Sequence, residues 1–186
     1  MSNLLFVVAP TDFRDEELFV PRREVEAAGH QVTIASTRAG TCIGVHDATV
    51  QATLALAAVE PRDFDGVIFV GGAGARVLFD DPDAHRIAQA LHATGRLVAA
   101  ICVAPTILAR ARLLAGRRAT AFSSSLPALS AAGAVLSDGD VVVDGTLVTA
   151  SGPAHARRFG REIVRILGAR RVDQGELTGH AAPSRV

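Results

Sequence analysis

"LVAAICVAPTILARARLL", residues 97–114, changes its periodicity part-way along. Residues 97–101 are an unbroken apolar run of strand length, and from Pro105 the apolar residues return at helical spacing. Cys102 stands at the joint. A strand that feeds directly into a helix is the repeating unit of a parallel sheet. In such sheets ligands and chemistry gather beyond the carboxyl ends of the strands, where helix N-termini expose free N–H groups. Pro105 suits a first helical turn, so the helix is expected to begin within one or two residues of the sulfur. A thiol placed there is expected to ionise below its ordinary pKa of ~8.5. The competing reading is an inert core thiol, because free cysteine is among the most buried residue types.

Outward from this joint the same alternation recurs. "LLFVVA" (4–9), "QVTIAS" (31–36) and "GVIFV" (66–70) read as further strands. "DEELFVPRREVEAAG" and "PDAHRIAQALHATG" read as helices, each stopped by a glycine, with Pro21 kinking the first or marking its true start. In "VVVDGTLVTA" (141–150), Asp144-Gly145 marks a hairpin. "GPAHARRFGREIVRILG" then forms a helix with Phe159, Ile163 and Ile166 inward and Arg157, Arg158, Arg161 and Arg165 outward. The pattern predicts an α/β fold: helices on both faces of a mainly parallel sheet, forming one domain over residues 1–168. Residues 169–186 lose the apolar period and are expected to be a mobile C-terminal tail.

Composition removes several function classes. All 19 basic residues are arginine, and 19 acids balance them to a formal charge of +0, which gives no general attraction to nucleic acid or anionic membrane. Without lysine there is no Schiff base, no pyridoxal attachment and no phosphate-loop lysine. Without Tyr or Trp there is little to stack bases on. No stretch resembles a signal peptide or a membrane span, and two cysteines are too few for a disulfide scaffold or a structural zinc site. A reducing cytoplasm is the expected compartment, and no metal or cofactor is expected.

"FVGGAGA" (69–75) ends the strand before Cys102. Its glycines make a tight turn, or they let the backbone approach a substrate; the segment lacks the spacing of a dinucleotide fingerprint. In the second case the N–H groups of Gly72 and Val103 would aim at one oxygen as an oxyanion hole, with Gly71 beside them.

"AAICVAPTILARARLLAGRRAT" (99–120) resembles the nucleophile-elbow segment of the ThiJ/PfpI superfamily. "DEELFVPRREVEAAGHQVTIAS", "DFDGVIFVGGAGA" and "DGTLVTASGPAHARRFGREIV" resemble other parts of that family in the same order, so the likeness spans residues 4–168. It implies a flavodoxin-like three-layer α/β/α sandwich with a C-terminal hairpin, a homodimer or higher oligomer, and a nucleophilic Cys102 in a strained elbow. It also implies a carboxylic acid from the first helix against the sulfur. That acid is Glu17, four residues before Pro21, with Glu16 as the fallback; outside the resemblance Glu17 is an ordinary solvated helix carboxylate.

Two departures from the family bear on mechanism. Protease-like members carry histidine directly after the nucleophile, where this chain has Val103, which argues against proteolysis. Glyoxalase-type members often carry a histidine near the position of Phe122 and Ser123. His155, at the start of the last helix, is then a possible base or a surface residue. His46 falls in a loop that relatives place near a dimer contact, and His30, His85, His92 and His180 are read as solvated. Cys42 is read as an exposed or partly buried spare thiol, and a disulfide with Cys102 stays open. The resemblance implies a cofactor-independent enzyme acting on a small reactive carbonyl or a glycated protein. The alternatives are a redox-sensing stress protein or chaperone acting through Cys102, and a PfpI-type peptidase or amidohydrolase.

Overall fold

Alternate residues of the central strands face opposite layers, and the computed structural model builds its three layers on that alternation. It describes the backbone of residues 1–178 and the side chains of residues 1–169. In chain order the strands are β1 (Asn3–Val7), β2 (Thr11–Phe13), β3 (Gln31–Ser36), β4 (Gly40–Gly44), β5 (Thr49–Ala52) and β6 (Leu54–Ala55). They continue with β7 (Gly66–Phe69), β8 (Leu97–Ile101), β9 (Arg118–Ala119), β10 (Val135–Leu136), β11 (Val141–Asp144) and β12 (Leu147–Ala150). The helices are α1 (Asp15–Ala27), α2 (Pro82–Ala93), α3 (Pro105–Arg110), α4 (Leu126–Ala131) and α5 (Ala156–Thr178).

Seven strands form one sheet in the order β11-β12-β8-β7-β1-β3-β6. Every pairing in it is parallel except the β11–β12 hairpin, which turns through Gly145 at φ +63°. On β1, Leu5 and Val7 pack with Ile87 of α2, Leu108 of α3 and Leu129 of α4. Leu4 and Phe6 face the other way, toward Leu18 and Val25 of α1 and Phe159 and Ile163 of α5. Each large side chain buried this fully contributes about 2 kcal/mol.

Pro21 lies inside α1 rather than at its start. Having no N–H, it leaves the carbonyl of Glu17 without the partner an unbroken helix would supply. The opposite face of this turn meets α5 so closely that a Cβ on Gly160 would come within 2.8 Å of Pro21 Cα. As the spacing predicts, Phe159 and Ile163 are fully buried while Arg157, Arg161 and Arg165 stay exposed, the first two reaching Glu24 of α1 at 3.7 and 3.5 Å.

Three features depart from the sequence reading. A second sheet, β2-β4-β5, was invisible because its strands are short and half-exposed, and a two-stranded ladder pairs β9 with β10. α5 keeps helical backbone to Thr178, past residue 168 where the apolar period fades, because main-chain hydrogen bonding does not need an apolar face; residues 179–186 lie outside the described residues. Cys42 forms no disulfide and is 1% exposed, because the alternation of β4 turns it inward between the exposed Thr41 and Ile43. No helix among the described residues is long and apolar enough to cross a membrane.

Candidate active site

Cys102 follows β8 at the carboxyl end of the sheet. Ala99 and Ile101 face the α1–α5 layer, and strict alternation would send the next side chain to the opposite layer. Cys102 instead takes φ +64°, a left-handed conformation that non-glycine residues rarely adopt, and so turns its sulfur to the α1 side as well. Both of its backbone groups are held: its N–H donates to the Ala150 carbonyl and its carbonyl accepts from the Phe122 N–H, each at 2.8 Å. The strain is sustained by the flanking β12 and the loop after β9.

α1 delivers Glu17 to the same place. This carboxyl is fully buried, and neither of its oxygens completes a hydrogen bond of ordinary geometry among the described residues. It lies against the Gly71 Cα and the sulfur: a Cβ on Gly71 would run into a Glu17 oxygen and approach Cys102 Cβ to 2.7 Å. Gly71 also anchors α1, its carbonyl accepting from the Arg14 N–H at 3.0 Å. Gly72 adopts φ +102°, and a Cβ there would press on the Arg14 nitrogen at 2.5 Å, so this loop accepts only glycine at both positions. The N–H groups of Gly72 and Val103 lie near enough to the Cys102 sulfur to favour its thiolate.

Burial pushes Glu17 up to about 7, partly offset by the Cys102 thiol, the Arg14 charge and the Gly71 N–H. Burial and the Glu17 charge push the Cys102 thiol up to about 12, against the two amides that favour the thiolate. This corrects the expectation of a lowered thiol pKa: at this helix N-terminus desolvation and a neighbouring carboxylate outweigh the amides. The two groups act as a pair that loses one proton near 7 and holds a second into the alkaline range. At neutral pH the sulfur therefore keeps its proton while the carboxyl beside it gives its own up, leaving Glu17 placed to accept a proton from the thiol.

The sulfur opens onto a cleft of about 530 Å³ whose walls include Arg14, Val45, Arg76, Val103, Phe122, Ser124 and Pro153. Cys102 itself is 9% exposed at its floor. A neighbouring cleft of about 410 Å³ shares the Phe122 and Pro153 walls and holds His155. His155 pairs there with Asp140 at 3.3 Å and is not part of the wall around the sulfur. Glu16 turns outward, held by Arg14 at 2.8 Å and near His46 at 3.6 Å.

Asp15, Glu16 and His46 bring ligand-type atoms within 4.8 Å of one another, a grouping the sequence reading did not find because His46 arrives from the loop after β4. The Arg14 guanidinium already neutralises Glu16, and Asp15 Oδ2 accepts from the His46 backbone N–H at 3.0 Å while Asp15 Oδ1 is buried without a hydrogen-bond partner among the described residues; with one carboxylate so paired and both Glu16 and His46 partly exposed, the group is assigned no metal. His30 is buried, not solvated, accepting from the Ser2 N–H at 3.2 Å, and burial lowers its pKa. His92 is half-buried and lowered for the same reason. His85 makes a 2.8 Å contact with the Phe79 carbonyl, and His180 lies outside the described residues. Sequence reasoning missed Arg14 and Arg76 as cleft residues; their only signal was position, one turn before Glu17 and four residues after Gly72.

A strained cysteine at the carboxyl end of a parallel sheet, beside a buried glutamate and a glycine loop, defines a class of elbow-thiol proteins. The chain belongs to the DJ-1/PfpI family, whose profile matches residues 2–166. It is 35% identical to deglycase PH1704 of Pyrococcus horikoshii over 89% of this chain and 99% of that protein. It is 32% identical to protein/nucleic acid deglycase 2 of Escherichia coli over 91% of this chain and 100% of that one. The crystal structure of a ThiJ/PfpI domain protein from Brachyspira murdochii superposes with a TM-score of 0.88 at 31% identity, covering 90% of this chain and 96% of that one.

Proposed function

We propose that this protein is a cofactor-independent cysteine enzyme that converts small reactive carbonyls to hydroxy acids, with Cys102 as nucleophile and Glu17 as its proton partner. The observation that carries the reading is the pairing of a buried Glu17 carboxyl, without a hydrogen bond of ordinary geometry, with a thiol held at φ +64° beside Gly71. The relatives named deglycases support the same class of substrate.

For methylglyoxal, Glu17 takes the thiol proton and the thiolate adds to the aldehyde carbon, sending the carbonyl pair onto oxygen. The Gly72 and Val103 N–H groups stabilise that oxyanion, and Glu17 returns its proton to give a hemithioacetal. Glu17 then removes the C1 hydrogen as a proton. The resulting enediol is protonated at C2, which oxidises C1 to a thioester while reducing C2 to an alcohol. Water hydrolyses the thioester, releasing lactate and restoring the thiol, so the sum is methylglyoxal plus water. No external oxidant or reductant is needed. Lactate formation by the purified protein, assayed before and after one equivalent of iodoacetamide, tests the reading: the unblocked protein is expected to form lactate and the blocked protein to form none. Equal rates would overturn it.

The same amides and neutral Glu17 would also stabilise a Cys102 sulfinate, which favours redox sensing as a second reading. Mass spectrometry after mild peroxide treatment tests it: two added oxygens on Cys102 are expected, and an unmodified, reachable Cys102 contradicts it.

A further inference from the structure

The mechanism uses the floor of the cleft and leaves its charge unexplained. Two guanidiniums, Arg14 and Arg76, line this space together with the single carboxyl of Glu17, which is near its midpoint at neutral pH. Arg14 is committed to Glu16 by contacts of 2.8 and 3.3 Å. Arg76 is exposed on the turn after Gly72, and its side chain makes no hydrogen bond or ion pair among the described residues. Val45, Val103, Phe122 and Pro153 give the cleft apolar wall between these charged groups. The volume of about 530 Å³ is far more than a three-carbon dicarbonyl fills.

We propose that the natural substrate is an anionic 2-oxoaldehyde, its carbonyl at Cys102 and its carboxylate or phosphate on Arg76, with the apolar walls packing the carbon chain between them. A guanidinium offers a planar fork of donors that fits either anion, and one with no side-chain partner gains more from such a ligand than an arginine already held by a carboxylate. A cleft of this sign disfavours the cationic arginine and lysine side chains, and therefore favours free small acids over glycated side chains that keep a positive charge. Arg76 is in this account a specificity-determining residue. The inference rests on the proposed carbonyl chemistry at Cys102 for its substrate type, while the binding of an anion by Arg76 is testable without turnover.

The first arm compares kcat/KM for 4,5-dioxopentanoate with that for its methyl ester, which has the same reacting group and no charge. A parallel pair, 3-phosphooxy-2-oxopropanal and its dephosphorylated form, distinguishes phosphate from carboxylate. The anion of at least one pair is expected to be favoured about tenfold or more. Arg76→Gln is expected to bring that ratio close to one, and Arg76→Lys to retain part of it. The second arm needs no catalysis: 4-oxopentanoate is expected to protect Cys102 from iodoacetamide at concentrations about tenfold below those its methyl ester requires, a difference lost in Arg76→Gln. Equal behaviour of acid and ester in both arms, or a preference untouched by Arg76→Gln, would overturn the proposal. Protection by the acid without turnover of any aldehyde would keep the anion site and reject the carbonyl chemistry.

Discussion

Cys42 and Cys102 are both free, both counted among the core, and differ in accessibility only from 1% to 9%. Cys42 sits in a regular antiparallel ladder opposite Val50, its side chain one of a series of inward residues. Cys102 ends a strand in a left-handed conformation, faces a buried carboxyl with no ordinary hydrogen bond, and lies beside the backbone N–H groups of Gly72 and Val103, which favour its thiolate. Burial therefore does not distinguish Cys42 from the proposed nucleophile. The separation comes from backbone strain and from polar groups that fold at a cost and have no purely structural use.

Exchanging each thiol in turn gives the widest contrast. Cys102→Ser is expected to lower kcat/KM for methylglyoxal by about 10³-fold or more, whereas Cys42→Ser is expected to leave it within about twofold and to lower stability by about 1–2 kcal/mol, read by urea unfolding. Glu17→Gln is expected next, with a loss of about 10²-fold or more in kcat/KM. The same substitution sharpens the contrast through stability. Because folding raises Glu17 from its ordinary 4.5 to about 7, its contribution is fully present below pH 4.5 and is lost as pH rises through 7. At pH 8 the variant is expected to be more stable than wild type by up to about 3 kcal/mol, the difference shrinking as pH falls toward 4.5. Wild-type kcat/KM is expected to show an acid limb near pH 7.

Gly72→Ala forces a side chain onto a φ +102° backbone pressed against the backbone of residues 12–14 between β2 and α1, and is expected to cost about 2 kcal/mol and to lower kcat/KM by about 10²-fold through the displaced N–H. The smallest effect belongs to His155→Ala. Its imidazole is engaged by Asp140 in the neighbouring cleft, and less than about threefold is expected in kcat. A larger loss, with a displaced acid limb, would restore His155 as the base.

The legible parts of this molecule were those with period. β3 and β8 lie where the apolar runs place them, α2 begins at Pro82 with Asp81 accepting from the Ala84 N–H at 2.8 Å, and the Asp144-Gly145 hairpin forms. Cys102, Gly72 and Val103 could be placed together because a parallel sheet gathers the ends of its strands on one edge. Glu17 was different: nothing in its spacing distinguishes it from Glu16 or Asp15, and it was selected only through the resemblance. The sign of the thiol's shift was illegible, since it depends on how dry the site is and on a carboxylate from a distant element. Arg76, the β2-β4-β5 sheet and the Asp15–Glu16–His46 grouping all depend on loops whose paths no local pattern dictates.

The central claim concerns which atom meets the carbonyl, and rapid-quench mass spectrometry with limiting methylglyoxal reads it directly. The account predicts a transient adduct on the peptide carrying Cys102, appearing before lactate and decaying with it, while the peptide carrying Cys42 stays unmodified. Lactate that accumulates without any adduct at Cys102, or an adduct equally distributed over both thiols, would contradict it.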